Sequence, residues 1–494
     1  GRARRRGARA QRGERRHGAG VVEALGALSR GRLAALLAVL VLVVYNANGR
    51  EAYPTGDSRP TALIPLSILY QGNLDLNEYR PPGAPVGGPV RLENGRLVSN
   101  YSPVPAFLSL PVYLLAWPHR AEINGDILRW TPFFSKLAGS IFAALATAAF
   151  FIAASELASR PAAMLAALVL AFASPFWVSG GQTLGQHGLT VLCGSLGLLF
   201  LMRLERSGSL RWAFLAGLAC ALAVGVRLTN GMLFAAFLAY LLLYRRRAAA
   251  AFAAPVLVLG LPLALLLLSM LGGSGGGLEA FAFVARIGDQ FGNPLGAGLP
   301  GLLVSPGEGL LTWSPIFVLL IAPVVSALRI TRKASAGASR SAAALDRGST
   351  LEMTPAVRLR LLVFCLATAA ALLVLYSAYV AWWGGRTYGP RYVVDTLPFL
   401  LMPAAVGLGE WVRRRAFWAA FVALFLLSSY VQLLGAFRYP CRGDRPGDVR
   451  RDEERIWDWG RTDIELCMKS PRRQARDFET MRRLARMTWL ELTP

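Results

Sequence analysis

Four short stretches of this chain combine residue types that could do chemistry. The first, Tyr53-Pro54-Thr55-Gly56-Asp57-Ser58-Arg59-Pro60, places one carboxylate between a glycine and a proline that restrict its backbone. At a water–lipid boundary Asp57 could stay ionised and accept a proton from an attacking hydroxyl, with Arg59 close by to tune it. The same Asp would also serve as the N-cap of a following helix, and the two roles are compatible. The second stretch is Trp382-Trp383-Gly384-Gly385-Arg386-Thr387-Tyr388-Gly389-Pro390-Arg391-Tyr392-Val393-Val394-Asp395. Arg386 and Arg391 carry rigid five-donor forks that match phosphate oxygens. Trp382, Trp383, Tyr388 and Tyr392 fit ordinary interfacial anchors, which leaves the two arginines to be explained otherwise. Asp395 could pair with Arg391, the reading favoured here, or assist an acceptor.

The third stretch holds Gln182, Gln186 and His187 at the mouth of an apolar segment. His187 could donate to a phosphate or sugar hydroxyl, or be structural. The fourth is Val226-Arg227-Leu228-Thr229-Asn230, where Arg227 interrupts a sequence that otherwise reads as membrane. An ionisable residue there is costly and is a functional candidate, although an arginine reaching toward headgroups would fit as well. Asn230 follows as a candidate substrate contact. The Gly-rich residues 272–312 add Asp289 and Glu308 as further candidates.

The elements that must position these groups are membrane helices. Hydrophobic residues make up 54% of the 494 and charged residues only 17%, against about 25% in soluble domains. The apolar residues are clumped into runs near 33–47, 133–154, 162–178, 188–202, 212–226, 228–244, 252–271, 313–328, 359–381, 394–410 and 416–434. About 20 such residues span a bilayer. The expectation is an all-α polytopic membrane protein of about eleven transmembrane helices.

The formal charge of +24 is distributed as orientation signals and not as a nucleic-acid patch. Placing the basic clusters around 2–32, 160, 203–211, 245–247, 329–360 and 413–415 in the cytoplasm gives a consistent alternation, with the N-terminus inside. Residues 1–32 then read as a flexible basic cytoplasmic arm and 33–434 as the transmembrane domain. Within that domain, 48–131 forms a first outer loop, 272–312 a mobile outer loop that could act as a lid, and 329–358 a cytoplasmic linker. Residues 334–349 look disordered, and 435–494 form an extracytoplasmic tail. In the first outer loop, residues 61–70 and 104–117 are too short to span and look like amphipathic surface helices, joined by the Pro- and Gly-rich residues 81–89. Cys441 and Cys467 lie in the tail and would form a disulfide if it is exported, or stay as two thiols. Cys193, Cys220 and Cys365 read as small buried hydrophobes. There is no CxxC or His-rich metal signature, no cofactor is assigned, and a divalent metal stays open.

Taken together, these features resemble the polyprenyl-phosphate-dependent membrane glycosyltransferases of the GT-C type. That class includes protein O-mannosyltransferases and lipid A aminoarabinose transferases. A first helix is followed by Gly56-Asp57 and a surface helix, where the family has its catalytic Asp. A second surface helix precedes the second span. Gly185-Gln186-His187 and Val226–Asn230 fall where relatives have polar and basic sites, and the segments 307–315 and 384–392 resemble recurring ones in bacterial members. The chain departs from the family after Asp57, where Ser58 and Arg59 replace the acidic residue many relatives carry.

The resemblance implies a sugar donor on a polyprenyl phosphate and a glycan, lipid or protein acceptor in a bacterial plasma membrane. In it Asp57 is the base, and Arg386, Arg391 and Arg227 bind the donor phosphate. Arg59, Gln186, His187, Asn230, Asp289, Glu308, Tyr388 and Asp395 are the wider substrate contacts. Direct attack from the opposite face would invert the anomeric carbon. A transporter or flippase of a lipid-linked or anionic solute is the alternative, as is a ligase for lipid-linked glycans.

Overall fold

Long apolar runs become helices because hydrocarbon offers no partner for backbone N–H and C=O groups, so each segment must satisfy its own. The computed structural model describes residues 28–49, 58–80, 89–263, 265, 288–341, 353–385, 387–441, 456–471 and 477–492. Six of the described helices are long and apolar enough to cross a membrane: Ile127–Leu157, Gln186–Ser207, Arg246–Leu263, Pro355–Ser377, Arg391–Trp411 and Arg415–Arg438. The remaining expected spans coincide with Arg30–Asn46, Arg160–Phe172, Leu210–Val226, Leu228–Tyr244 and Ile316–Ser341. The protein is thus an all-α polytopic membrane protein, apart from one antiparallel hairpin of Val90–Glu93 with Arg96–Ser99.

The helices pack around a large apolar core. Ile127–Leu157 is central and packs against Arg30–Asn46 and Gln186–Ser207; Leu210–Val226 lies on Gln186–Ser207. In the second half, Leu397–Trp411 packs between Ile316–Ser341 and Pro355–Ser377. Cys193, Cys220 and Cys365 are free and buried in this core, as their apolar neighbourhoods imply.

One end of the bundle gathers the basic residues. Arg30 and Arg206 both reach Glu156, at 3.6 and 2.6 Å, and Arg245 grips Glu205 at 2.9 Å. The two stretches expected as surface helices form the helices Ser58–Gln71 and Val104–Tyr113, which pack on one another and on Ile127–Leu157, the first of them largely buried. Residues 81–88 lie outside the described residues.

One expectation differs from the fold. Residues 334–341 continue the Ile316–Ser341 helix instead of beginning a disordered linker, and Ala334, Ala336, Ala338 and Arg340 among them are good helix formers; 342–350 lie outside the described residues. In the described part of the 272–312 loop, Leu295–Val304 is a helix lying on Pro355–Ser377. A Cβ on Gly298 would fall 2.0 Å from the Ser377 carbonyl oxygen, so this close approach requires glycine. Asn293 and Gln290 are further tied by backbone bonds to Ala378 and Val380 at 2.9 and 2.8 Å.

Beyond Arg415–Arg438 the tail turns back on the bundle. Cys441 and Cys467 form a disulfide, and Arg438 donates to the carbonyls of Cys467 and Met468 at the end of the Asp463–Lys469 helix. The Asp477–Leu492 helix lies against Ile127–Leu157. There Arg483 pairs with Glu122, and Leu484 and Met487 join the cluster of Leu66, Tyr70 and Trp130.

Candidate functional site

The site is built where three helix ends meet. Leu210–Val226 stops at Arg227, whose backbone turns extended, with φ −157° and ψ 128°. Pro355–Ser377 ends one residue beyond Tyr376, and the connector that follows returns through Gly384 to Arg391, Tyr392 and Asp395. Gly384 adopts φ +78°, and a Cβ there would lie 2.9 Å from Arg391 Cγ and Nε. The glycine lets the connector curl around the arginine.

Asp395 is the hub of this arrangement. Its fully buried carboxylate receives the Tyr376 hydroxyl at 2.6 Å, lies 2.8 Å from His187 Nδ1 and 3.6 Å from Arg227 Nη1. Arg391 is not among these contacts, so the favoured Asp395–Arg391 pairing is corrected. Asp395 lies one helical turn beyond Arg391 in a short 3-10 segment and points inward to the neighbouring helices.

The two arginines are held by aromatic faces. Arg227 stands 4.9 Å from the Tyr392 ring centre and 5.2 Å from that of Tyr376, while Arg391 stands 5.1 Å from Tyr392. Tyr376 and Tyr392 stack at 5.0 Å, nearly parallel. Such contacts help fix the guanidinium planes, and Arg227 also donates to the Tyr376 hydroxyl and Arg391 to that of Tyr392, each at 3.5 Å.

These groups wall a cavity of about 280 Å³. Arg227 and Arg391 line it together with Tyr376, Tyr379 and Tyr392, and neutral polar groups come from Asn100, Ser102, Gln186, Thr229 and Gln290. Directly along the same two helices runs an apolar groove of about 410 Å³, lined by Met232, Ala239, Tyr244, Val363 and Ala367. Arg360 lies at its far end, 4.7 Å from the Tyr244 ring. Among the described residues no three His, Cys, Asp or Glu side chains gather so as to hold a metal ion.

The structure thus brings together Arg227, Arg391, Gln186, His187 and Asp395. Asn230 sits just behind, buried, donating to Thr190 Oγ1 at 2.9 Å and the Ala223 carbonyl at 2.8 Å, which ties a helix junction. Tyr388 is buried, donates to the Val431 carbonyl at 2.8 Å and packs edge-on against Trp313. Glu308 is buried in a turn where its own N–H bonds Ser305 Oγ at 3.0 Å. Asp289 and Arg59 are exposed, although Gln290 beside Asp289 lines the cavity. Asp57 and Arg386 lie outside the described residues.

Sequence reasoning did not single out Tyr376, Tyr379, Asn100, Tyr101 and Ser102. Tyr376 and Tyr379, three apart at the end of an apolar run, carried a usable signal. Asn100–Ser102 carried none, since they reach the site only through the hairpin.

Residues 132–271 match the family model for dolichyl-phosphate-mannose-protein mannosyltransferase. That match meets the resemblance to polyprenyl-phosphate-dependent membrane glycosyltransferases read from the sequence. No curated protein matches the chain. Among solved structures, it is similar to apo ArnT from Cupriavidus metallidurans, at 16% identity and a TM-score of 0.44, covering 79% of this chain and 61% of that one. It is also similar to the Archaeoglobus fulgidus oligosaccharyltransferase in its apo form, at 14% identity and a TM-score of 0.46, over 90% of this chain and 61% of that one. A third is the oligosaccharyltransferase AglB from Archaeoglobus fulgidus in complex with an inhibitory peptide and a dolichol-phosphate, at 12% identity and a TM-score of 0.44, over 88% and 61%. The chain therefore spans about three fifths of the length of these solved proteins.

Proposed function

We propose that the protein transfers a sugar from a polyprenyl-phosphate donor to an acceptor hydroxyl on the extracytoplasmic face of a bacterial plasma membrane. The observation that carries this reading is that a doubly arginine-lined polar cavity and an apolar groove both lie along Leu228–Tyr244 and Pro355–Ser377. An amphiphile with an anionic head and a long hydrocarbon chain is the ligand that fits both.

In this reading the isoprenoid chain lies in the groove and the phosphate faces Arg227 and Arg391, with Arg386 joining them. Asp57 takes the proton of the acceptor hydroxyl as its oxygen attacks the anomeric carbon. The bond to the phosphate oxygen breaks, and the guanidinium groups neutralise the charge that builds on the leaving phosphate. A single displacement with no enzyme-bound intermediate inverts the anomeric carbon.

Two features support an extracytoplasmic cavity. The arginine-rich turns gather at the other end of the bundle, as cytoplasmic loops do. The Cys441–Cys467 disulfide, of a kind kept in oxidising compartments, lies at the cavity end, where Tyr388 packs against Tyr439. With that orientation the N-terminus is cytoplasmic and eleven helices cross.

The test is incubation of the purified protein in lipid with a panel of polyprenyl-phosphate monosaccharides and candidate acceptors. Free polyprenyl phosphate should appear in step with glycosylated acceptor. Movement of intact donor across the bilayer without transfer would establish a flippase instead.

A further inference from the structure

One carboxylate is shared by three helix ends, and its place beside Arg227 bears on how that arginine meets a ligand. The Asp395 side chain is fully buried within an apolar segment long enough to cross a membrane. An ionisable group there is costly and is a functional candidate.

Its neighbours follow from backbone geometry. Tyr392 and Asp395 lie three residues apart in the 3-10 segment Arg391–Thr396. With about three residues per turn, both side chains leave the same face. Tyr392 thus brings its ring 4.9 Å from the Arg227 guanidinium, and Asp395 brings Oδ2 3.6 Å from Arg227 Nη1. Tyr376 donates its hydroxyl to the same Oδ2 at 2.6 Å and accepts from Arg227 Nη1 at 3.5 Å. Oδ1 lies 2.8 Å from Nδ1 of His187, which follows the cavity-lining Gln186 at the start of Gln186–Ser207. An ionised carboxylate only accepts, so the imidazole carries a proton on Nδ1.

A carboxylate beside an arginine can orient it or compete with its ligand. A competitor would grip the fork through several contacts, as Glu205 grips Arg245 at 2.9 to 3.2 Å. Asp395 instead gives its full-length hydrogen bonds to Tyr376 and His187 and approaches one nitrogen of Arg227. The contacts to Tyr376 and Asp395 engage one corner of a five-donor fork, and Arg227 still forms part of the cavity wall. Resting on the sugar-transfer reading, which puts the donor phosphate at Arg227, we infer that Asp395 is a positioning residue for donor binding. Held by Tyr376 and His187, it fixes the Arg227 guanidinium in the orientation that meets the phosphate.

The test is a double-mutant cycle on the affinity of the full-length protein in nanodiscs for a fluorescent polyprenyl phosphate. Asp395→Asn, close in shape, should weaken binding about tenfold in the otherwise native chain. With Arg227→Ala already in place the loss should be less than about twofold, since residues acting as one unit are non-additive. Loss of the charge beside a buried guanidinium can itself unfold the protein. Tyr376→Phe, which removes only a hydroxyl, should therefore show the same coupling with a smaller loss of about fivefold. Tighter binding in Asp395→Asn makes the carboxylate a competitor and overturns the inference. A loss in either variant that is equal with and without Arg227 overturns it too. Transfer is scored separately: coupled binding without turnover of any sugar donor defeats the transfer reading and leaves the positioning role, and turnover with additive losses does the reverse. If the unaltered protein does not bind the probe, both fall.

Discussion

The two ends of the bundle use the same residue types to opposite effect. At the basic end, Glu205 is held by Arg245 through three side-chain contacts of 2.9 to 3.2 Å, and Glu156 takes Arg206 and Arg30. These pairs bind one helix end to another. At the cavity end, the one described carboxylate in the cluster, Asp395, receives Tyr376 and His187 at full hydrogen-bond distance and keeps Arg227 at 3.6 Å. Arg227 and Arg391 lean on tyrosine rings and line a cavity. A guanidinium locked onto a buried carboxylate ties helix ends together; one stacked on aromatic faces in a cavity wall can also present N–H groups to an anion.

Mutations at the two ends should therefore separate function from stability. The largest effect is expected for Asp57→Asn, which should cut turnover by about 10³-fold with folding intact, as removal of a general base does. Near-normal transfer by a folded D57N protein would place the base elsewhere. Arg227→Ala and Arg391→Ala should each lower donor kcat/KM by about 10²-fold, the scale for losing one charge-stabilising donor. Wild-type donor kinetics in both variants would remove the clamp from this cavity.

At the other end, Arg245→Ala leaves Glu205 buried and unpaired and should cost about 3 kcal/mol of stability, measured by thermal unfolding in detergent. Its donor KM should not move; a raised KM would show that the two ends are not independent. The smallest effect is expected for Gly384→Ala. A methyl there meets Arg391 and strains a left-handed backbone, so donor KM should rise severalfold while unfolding changes little.

Much of the site was legible in the sequence because membrane burial makes polar residues conspicuous. Arg227 and Arg391 stood out against apolar or outward-facing surroundings where orientation alone gave them no reason to be. His187 and Gln186 were found the same way. The partners they choose were not legible, since Asp395 is four residues from Arg391 and 208 from His187, yet it bonds the histidine. Proximity along the chain favoured the wrong arginine because a tight 3-10 turn aims the carboxylate away from its near neighbour. Ala-rich residues 334–341 misled in another way, since composition alone does not separate a polar linker from a helix extended past its apolar part.

By itself the sequence determined that the chain is helical and membrane-spanning, and where the longest apolar helices lie. That much follows from local physics, because each apolar run must satisfy its own backbone within a bilayer. It also determined which residues are too costly to be there by accident. Only the tertiary structure decided that the hairpin's Asn100–Ser102, Tyr376 and Gln290 meet around Arg227 and Arg391. It alone decided that Cys441 finds Cys467 and that an apolar groove lies along the same helices as the cavity. Such meetings depend on how helices distant along the chain pack, and packing geometry leaves no periodic trace in any one segment.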